Sequence, residues 1–269
     1  MKLLKKTLKE SNSALEKILN NHFNKKNKEL NISDVVTLAL FEDMVEKIES
    51  LIVLIELKKN ASMDTISRSI LENRVYLKLL LSKDNVIYSR SYFAAKKIDD
   101  LKMYYKITTP GKLGNNIREL LGNPSIESIK EASNYDSYEV EVQKLKRDFE
   151  DVFRLREVKH AWYNLDGKTS TLEQLCNKKN IDMHAEYELM YRLLSKEVHA
   201  KDALSRWRFK ENEVSVVIAN KQDFDMHISL ANTFLIETLD SLYSFYNMDR
   251  ELKKFRTLLA LTANYSKYK

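Results

Sequence analysis

Glycine and proline are nearly missing from this chain. They number 4 and 2 among 269 residues, about 2% together against a usual total near 12%. That shortage excludes a dinucleotide-binding or P-loop enzyme built on glycine-rich turns, a collagen-like chain and a Pro/Gly-rich linker protein. It also argues against a turn-rich β-sandwich. Cysteine is limited to Cys176, so neither an internal disulfide nor a cysteine-rich zinc site can form. Long hydrophobic runs are lacking too. The most apolar stretch, Val35 to Leu57, is interrupted by Glu42, Asp43, Glu46, Lys47 and Glu49, charges that a bilayer core would not accept. The N-terminus starts basic but holds no apolar run long enough for a signal peptide. The expectation is a cytoplasmic protein with no membrane contact.

What is present is charge and helical periodicity. The charged fraction is 31%, with 45 basic and 39 acidic residues for a net charge of +6. Lysines outnumber arginines 33 to 12, and the two signs are interleaved. This balance permits an RNA partner without requiring one, and a lysine-rich solvated surface accounts for it equally well. At this length a single core can still form, so 1–269 is read as one helical domain. All six glycines and prolines fall between Pro110 and Gly167, which predicts long helical blocks on either side of a looped middle.

Apolar spacing places helices at about 3–21, from Ser33 or Asp34 to Lys59, from Ser62 to Leu81, and from Asp84 to Lys106. The second is apolar around most of its circumference at Leu51–Ile55, which suggests a central position. Two short helices follow, at about 112–121 and 125–131, and then a long charged one from Asp136 to Lys159. After a loop at Trp162–Gly167, Ser170 with Glu173 has the pattern of a capping box. Asp182 opens a helix to His199. Val214–Ile218 is a short strand or a buried irregular segment, and helices at about 223–246 and 249–264 close the chain. The class is all-α, an irregular multi-helix bundle.

The helix over 182–199 carries His184, Glu188, Arg192, Ser195 and His199, spaced by four, four, three and four residues. A helix aligns these on one face. A guanidinium and an imidazole there form a compact anion or phosphodiester site; a solvated face with a Glu188–Arg192 pair is the alternative. Arg68 and Glu72, one turn apart on the third helix, either pair with each other or reach across to Arg192 and His199. Metal ligation has little support. Glu157 and His160 have the Glu-x-x-His spacing of a di-iron bundle, but no second such pair exists, and no cofactor is expected. Trp162, Tyr163 and Trp207 are read as packing anchors.

Three segments together carry a resemblance. They are Arg68-Ser-Ile-Leu-Glu72; His160-Ala-Trp-Tyr163 with the following Ser170-Thr-Leu-Glu-Gln-Leu175; and Tyr191-Arg-Leu-Leu-Ser195-Lys-Glu-Val-His199. The chain resembles the microbial family catalogued as domain of unknown function 5677, over a core of about 35–205, leaving a C-terminal helical extension at about 210–269. The resemblance marks Arg68, Glu72, Tyr191, Ser195 and His199, with Arg192 beside them. It implies no activity. A looser resemblance runs to the HEPN superfamily of helical ribonuclease-like proteins, which implies a HEPN-like core with extra helices. Arg192 and His199 fit its arginine-to-histidine spacing, although Leu193 stands where many active members have a polar residue.

That second resemblance implies a metal-independent endoribonuclease, a toxin or phage-defence effector. Arg192 would hold the scissile phosphate, His199 would move the proton, and Ser195 would donate to the phosphate. Arg68, Glu72 and Tyr191 would support them. A homodimer with two copies of the helix face to face would complete the site, and an antitoxin or other protein partner is implied. The opposing expectation is a binding or regulatory module in which the Arg/Glu/His network is structural.

Overall fold

A computed structural model describes residues 1–59, 62–133, 135–192, 207–210, 213–216 and 224–266; for 207–210, 213–214, 216 and 263–266 it describes the backbone alone. The chain divides into two compact units, Met1–Lys83 with Cys176–Lys269, and Asp84–Leu175. The architecture is all-α. Among the described residues the only strands are β1 (Trp207–Lys210) and β2 (Glu213–Val216), an antiparallel ribbon that pairs Trp207 with Val216 and Lys210 with Glu213. β2 begins at the segment expected to be extended.

In the first unit, α1 (Lys2–Ile18) runs on into a π-turn at Leu19–Phe23. Then come α2 (Ile32–Glu56) and α3 (Met63–Leu80). The cap of α2 differs from expectation. Asn31, not Ser33 or Asp34, occupies the N-cap: its side chain accepts from the Asp34 N–H at 3.0 Å, and the Asp34 carboxylate accepts from the Asn31 N–H at 3.2 Å. Two orphan donors are thereby satisfied by one reciprocal pair, and Ser33 is left buried inside the first turn. The predicted central helix is central: Phe41, Met44, Ile48 and Leu51 are fully enclosed or nearly so, and α2 packs on α3, whose Ile70, Leu71, Val75 and Leu77 are buried as well. Each such side chain contributes roughly 1.5–3 kcal/mol by leaving water.

The second unit is built on α4 (Asn85–Thr108), against which α5 (Lys112–Leu120), α6 (Ile126–Ser133), α7 (Tyr138–Asp148) and α8 (Glu150–Phe153) pack. The single charged helix expected over 136–159 is therefore two helices and a run of turns. Arg90 supplies the reason. Its guanidinium donates to the Asp148 carbonyl at 2.9 Å and grips both Asp151 oxygens at 2.8 and 2.9 Å, while lying 4.7 Å over the Phe149 ring. A carbonyl bonded from outside interrupts the ladder at Phe149, whose ring is buried against Phe93.

The capping box before α9 (Leu172–Cys176) is shifted one residue from the expected Ser170/Glu173 pair. The Gln174 N–H donates to Thr171 Oγ1 at 3.2 Å, and Gln174 Oε1 accepts from the Thr171 N–H at 3.2 Å. Cys176 is buried.

The remaining elements belong to the first unit. Asp182 does not open the next helix, because it holds a left-handed φ of 46°. The chain turns there, and the Met183 N–H reaches the Cys176 carbonyl at 3.0 Å. α10 (His184–Glu186) follows and widens at once into a π-turn over Tyr187–Tyr191. α11 (Asp225–Phe245) and α12 (Asp249–Ser266) close the chain. α11 packs on α1 and α3 through Leu230, Phe234, Leu235, Leu239 and Tyr243, all buried. Among the described residues no helix is long and apolar enough to cross a membrane.

Candidate functional site

Arg68 lies on α3 with Glu72 one turn on, and its Nε donates to Glu72 Oε1 at 3.2 Å. It does not stop there. Arg68 Nη2 also donates to the Tyr191 hydroxyl, and its guanidinium lies 4.1 Å from the centre of the Tyr191 ring. Tyr191 in turn stacks on Tyr187, with ring centres 4.8 Å apart and planes 17° off parallel. One arginine thus fastens Tyr191, and through the ring stack Tyr187, to α3. A charge-assisted hydrogen bond contributes about 1.5–3 kcal/mol, and a partly desolvated cation–π contact about 0.5–2 kcal/mol.

The electrostatics fit a closed contact. The Arg68 and Glu72 side chains are 19% and 29% exposed, so the pair is partly withdrawn from water. Burial pushes the Tyr191 phenol above its ordinary pKa; Glu72 adds to the rise and Arg68 opposes it. Tyr191 therefore stays a neutral hydroxyl between a cation and an anion.

Arg192 is the next residue and behaves differently. Its side chain is 57% exposed and pairs with Glu188 on its own helix at 3.2 Å; His184 lies 4.0 Å from the same carboxylate oxygen. The first three rungs of the predicted ladder share a face as expected. The structure brings Arg68, Glu72 and Tyr191 together and leaves Arg192 outside that group. Ser195 and His199, like Leu193, lie outside the described residues.

Two buried links in the first unit escape sequence reasoning. Arg74, 5% exposed, donates to Glu237 of α11 at 3.0 Å. Burial pulls its pKa down while Glu237 and then Glu186 oppose the fall. An arginine on an enclosed helix signals that a carboxylate is needed, but not which one. The second link is His227. Its Nδ1 lies 2.8 Å from Ser67 Oγ and its Nε2 3.4 Å from Asp64 Oδ1. The residue types are those of a nucleophilic relay. Ser67 has no exposed surface, so no substrate reaches it, and the group fastens α11 to α3. Among the described residues, no three or more His, Cys, Asp or Glu side chains are grouped to hold a metal ion.

In the second unit, Trp162 and Tyr163 pack as expected. Tyr163 is buried, and Trp162 meets Tyr92 and Tyr163 edge-on at 5.1 and 5.6 Å. Ser91 Oγ donates to the Trp162 carbonyl at 2.5 Å. For Trp207 the structure describes only the backbone.

A family model described as a family of unknown function (DUF5677) matches residues 34–214, about two thirds of the chain. The chain belongs to this family. The DUF5677 match takes in Arg68, Glu72, the His160–Tyr163 loop, Tyr191 and Arg192. No curated protein and no solved structure matches the chain.

Proposed function

We propose that this DUF5677 protein is a helical binding or regulatory module, cytoplasmic and homodimeric, in which Arg68, Glu72 and Tyr191 serve architecture. The observation that supports this reading is the engagement of Arg68 by both Glu72 and Tyr191. Held by both partners, the Arg68 guanidinium anchors the π-turn on α3. What the turn displays outward is His184, Glu188, Leu189 and Arg192. Leu189 is 67% exposed, an apolar side chain between charged neighbours, which suits the centre of a two-fold contact with a second copy. Light scattering at micromolar concentration is expected to return twice the 31.6 kDa chain mass. A monomer mass would refute the dimer.

A second reading, the metal-independent HEPN-like endoribonuclease, is favoured by the solvent exposure of Arg192, which a phosphate-holding residue needs. Labelled RNA incubated in EDTA with wild type and Arg192→Ala separates the two. The module reading expects no cleavage from either protein. Cleavage by wild type that leaves a 2′,3′-cyclic phosphate, and falls at least about 10²-fold in the variant, would replace it with the nuclease.

A further inference from the structure

Arg156 lies in the second unit, on the turns after α8, and is 4% exposed. Its guanidinium donates to Ser91 Oγ at 2.8 Å, Glu157 O at 3.1 Å, His160 O at 3.0 Å and Ser91 O at 3.4 Å. All four acceptors are neutral. The donors are satisfied, but the charge is not neutralised. Burial pulls the Arg156 pKa below the usual arginine value, with Asp99 opposing only in part. A buried cation hydrogen-bonded to neutral acceptors and only partly offset by Asp99 leaves a positive potential on the surface it adjoins.

The surface it adjoins is a groove of about 630 Å³, within the roughly 300–1,000 Å³ range of small-molecule sites. Lys146 and Arg154 stand on its walls beside Arg156, and Phe153 and Leu155 supply apolar surface. The one acidic wall residue, Glu157, is held by Lys159 at 3.0 Å. Arg154 pairs with Glu150 at 2.5 Å and remains 73% exposed. His160 is also on the wall, and its Nδ1 is enclosed without a hydrogen-bond partner among the described residues. With Arg154 paired to Glu150 and Glu157 held by Lys159, Lys146 and Arg156 leave the groove an excess of positive charge, which favours an anionic ligand. The apolar walls favour one with a flat organic body.

We propose that this groove binds the phosphate monoester of a nucleotide, with Lys146, Arg154 and Arg156 supplying the field and Phe153 and Leu155 meeting the base. Phosphate oxygens take multiple hydrogen bonds from guanidinium groups in geometries a single carboxylate does not fill. The site is independent of the reading of Arg192.

Calorimetric titration of the full chain at low salt, with AMP, adenosine and a 5′-phosphorylated RNA tetramer as probes, tests this. AMP is expected to bind with a dissociation constant of about 1 mM or tighter, and adenosine at least about ten-fold more weakly. Tetramer binding equal to AMP assigns the site to a terminal phosphate, and weaker tetramer binding assigns it to the free nucleotide; both support the phosphate site. Arg156 also staples the 157–160 turn to Ser91, so its loss can unfold the region. The surface pair Lys146→Ala/Arg154→Ala is the discriminating variant. It should weaken AMP at least about ten-fold with an unchanged melting curve. Equal binding of adenosine and AMP, no binding of AMP in that range, or unchanged affinity in the double variant overturns the proposal.

Discussion

Tyr191 and Arg192 are neighbours in sequence and opposites in role. Tyr191 closes a contact with Arg68 and Glu72 that is largely withdrawn from water. Arg192 sits in an exposed ladder with Glu188 and His184. Both segments carry charge, so charge alone does not distinguish site from scaffold; burial and the sequence range of the contact do. The clamp joins residues 123 positions apart in the chain, whereas the ladder joins residues four apart that any helix would align. A long-range, half-dry contact holds the fold, and a local, wet pair contributes little to it.

If that contrast is right, the largest effect belongs to Arg68→Ala. It strands Glu72 and the Tyr191 hydroxyl together and should cost about 2–3 kcal/mol, read as a fall of several degrees in the thermal midpoint. A loss as small as that of an exposed pair would erase the distinction. Tyr191→Phe keeps the ring stack and the cation–π contact while removing one hydroxyl, so chemical denaturation should report a loss of about 1 kcal/mol.

Alkaline pH sharpens the same contrast. The Tyr191 phenol has a raised pKa in the folded protein, so the folded state holds this proton more tightly than the unfolded chain does. Its stabilisation is full below the ordinary tyrosine pKa of about 10 and is lost as pH rises through the folded value. Tyr243 and Tyr246 are also shifted upward by burial, near Glu10 and Asp34 respectively, so wild type alone is ambiguous. The stability gap between wild type and Tyr191→Phe should narrow above about pH 10; a gap that stays constant would remove the phenol from the clamp.

The smallest effect should come from Arg192→Ala. An exposed i,i+4 pair contributes about 0.3–0.5 kcal/mol, so the melt should barely move. A shift as large as that of Arg68→Ala would show that the ladder is part of the scaffold.

How much of this was legible in the sequence follows from the range of each interaction. The Arg68–Glu72 and Glu188–Arg192 pairs could be read because helical spacing alone brings them together. So could the central place of α2, whose apolar side chains surround the helix. Tyr191 as the partner of Arg68, Glu237 as the partner of Arg74, and the enclosure of His227 by Ser67 and Asp64 could not, since each depends on which helices pack. The broken helix at 149 has the same origin. The local pattern over 136–159 is helical, and Arg90 from α4 overrides it by taking the Asp148 carbonyl. The cap of α2 was missed by two residues because Asn, Ser and Asp all cap well and three of them lie within 31–34.

The most direct test of the account is a double-mutant cycle between Arg68→Ala and Tyr191→Ala, measured by chemical denaturation. If the two side chains form one clamp, the double variant loses less than the sum of the singles, with a coupling of at least about 1 kcal/mol. Losses that add to within about 0.3–0.5 kcal/mol would mean that Arg68 and Tyr191 act separately, and would contradict the architectural role assigned to them.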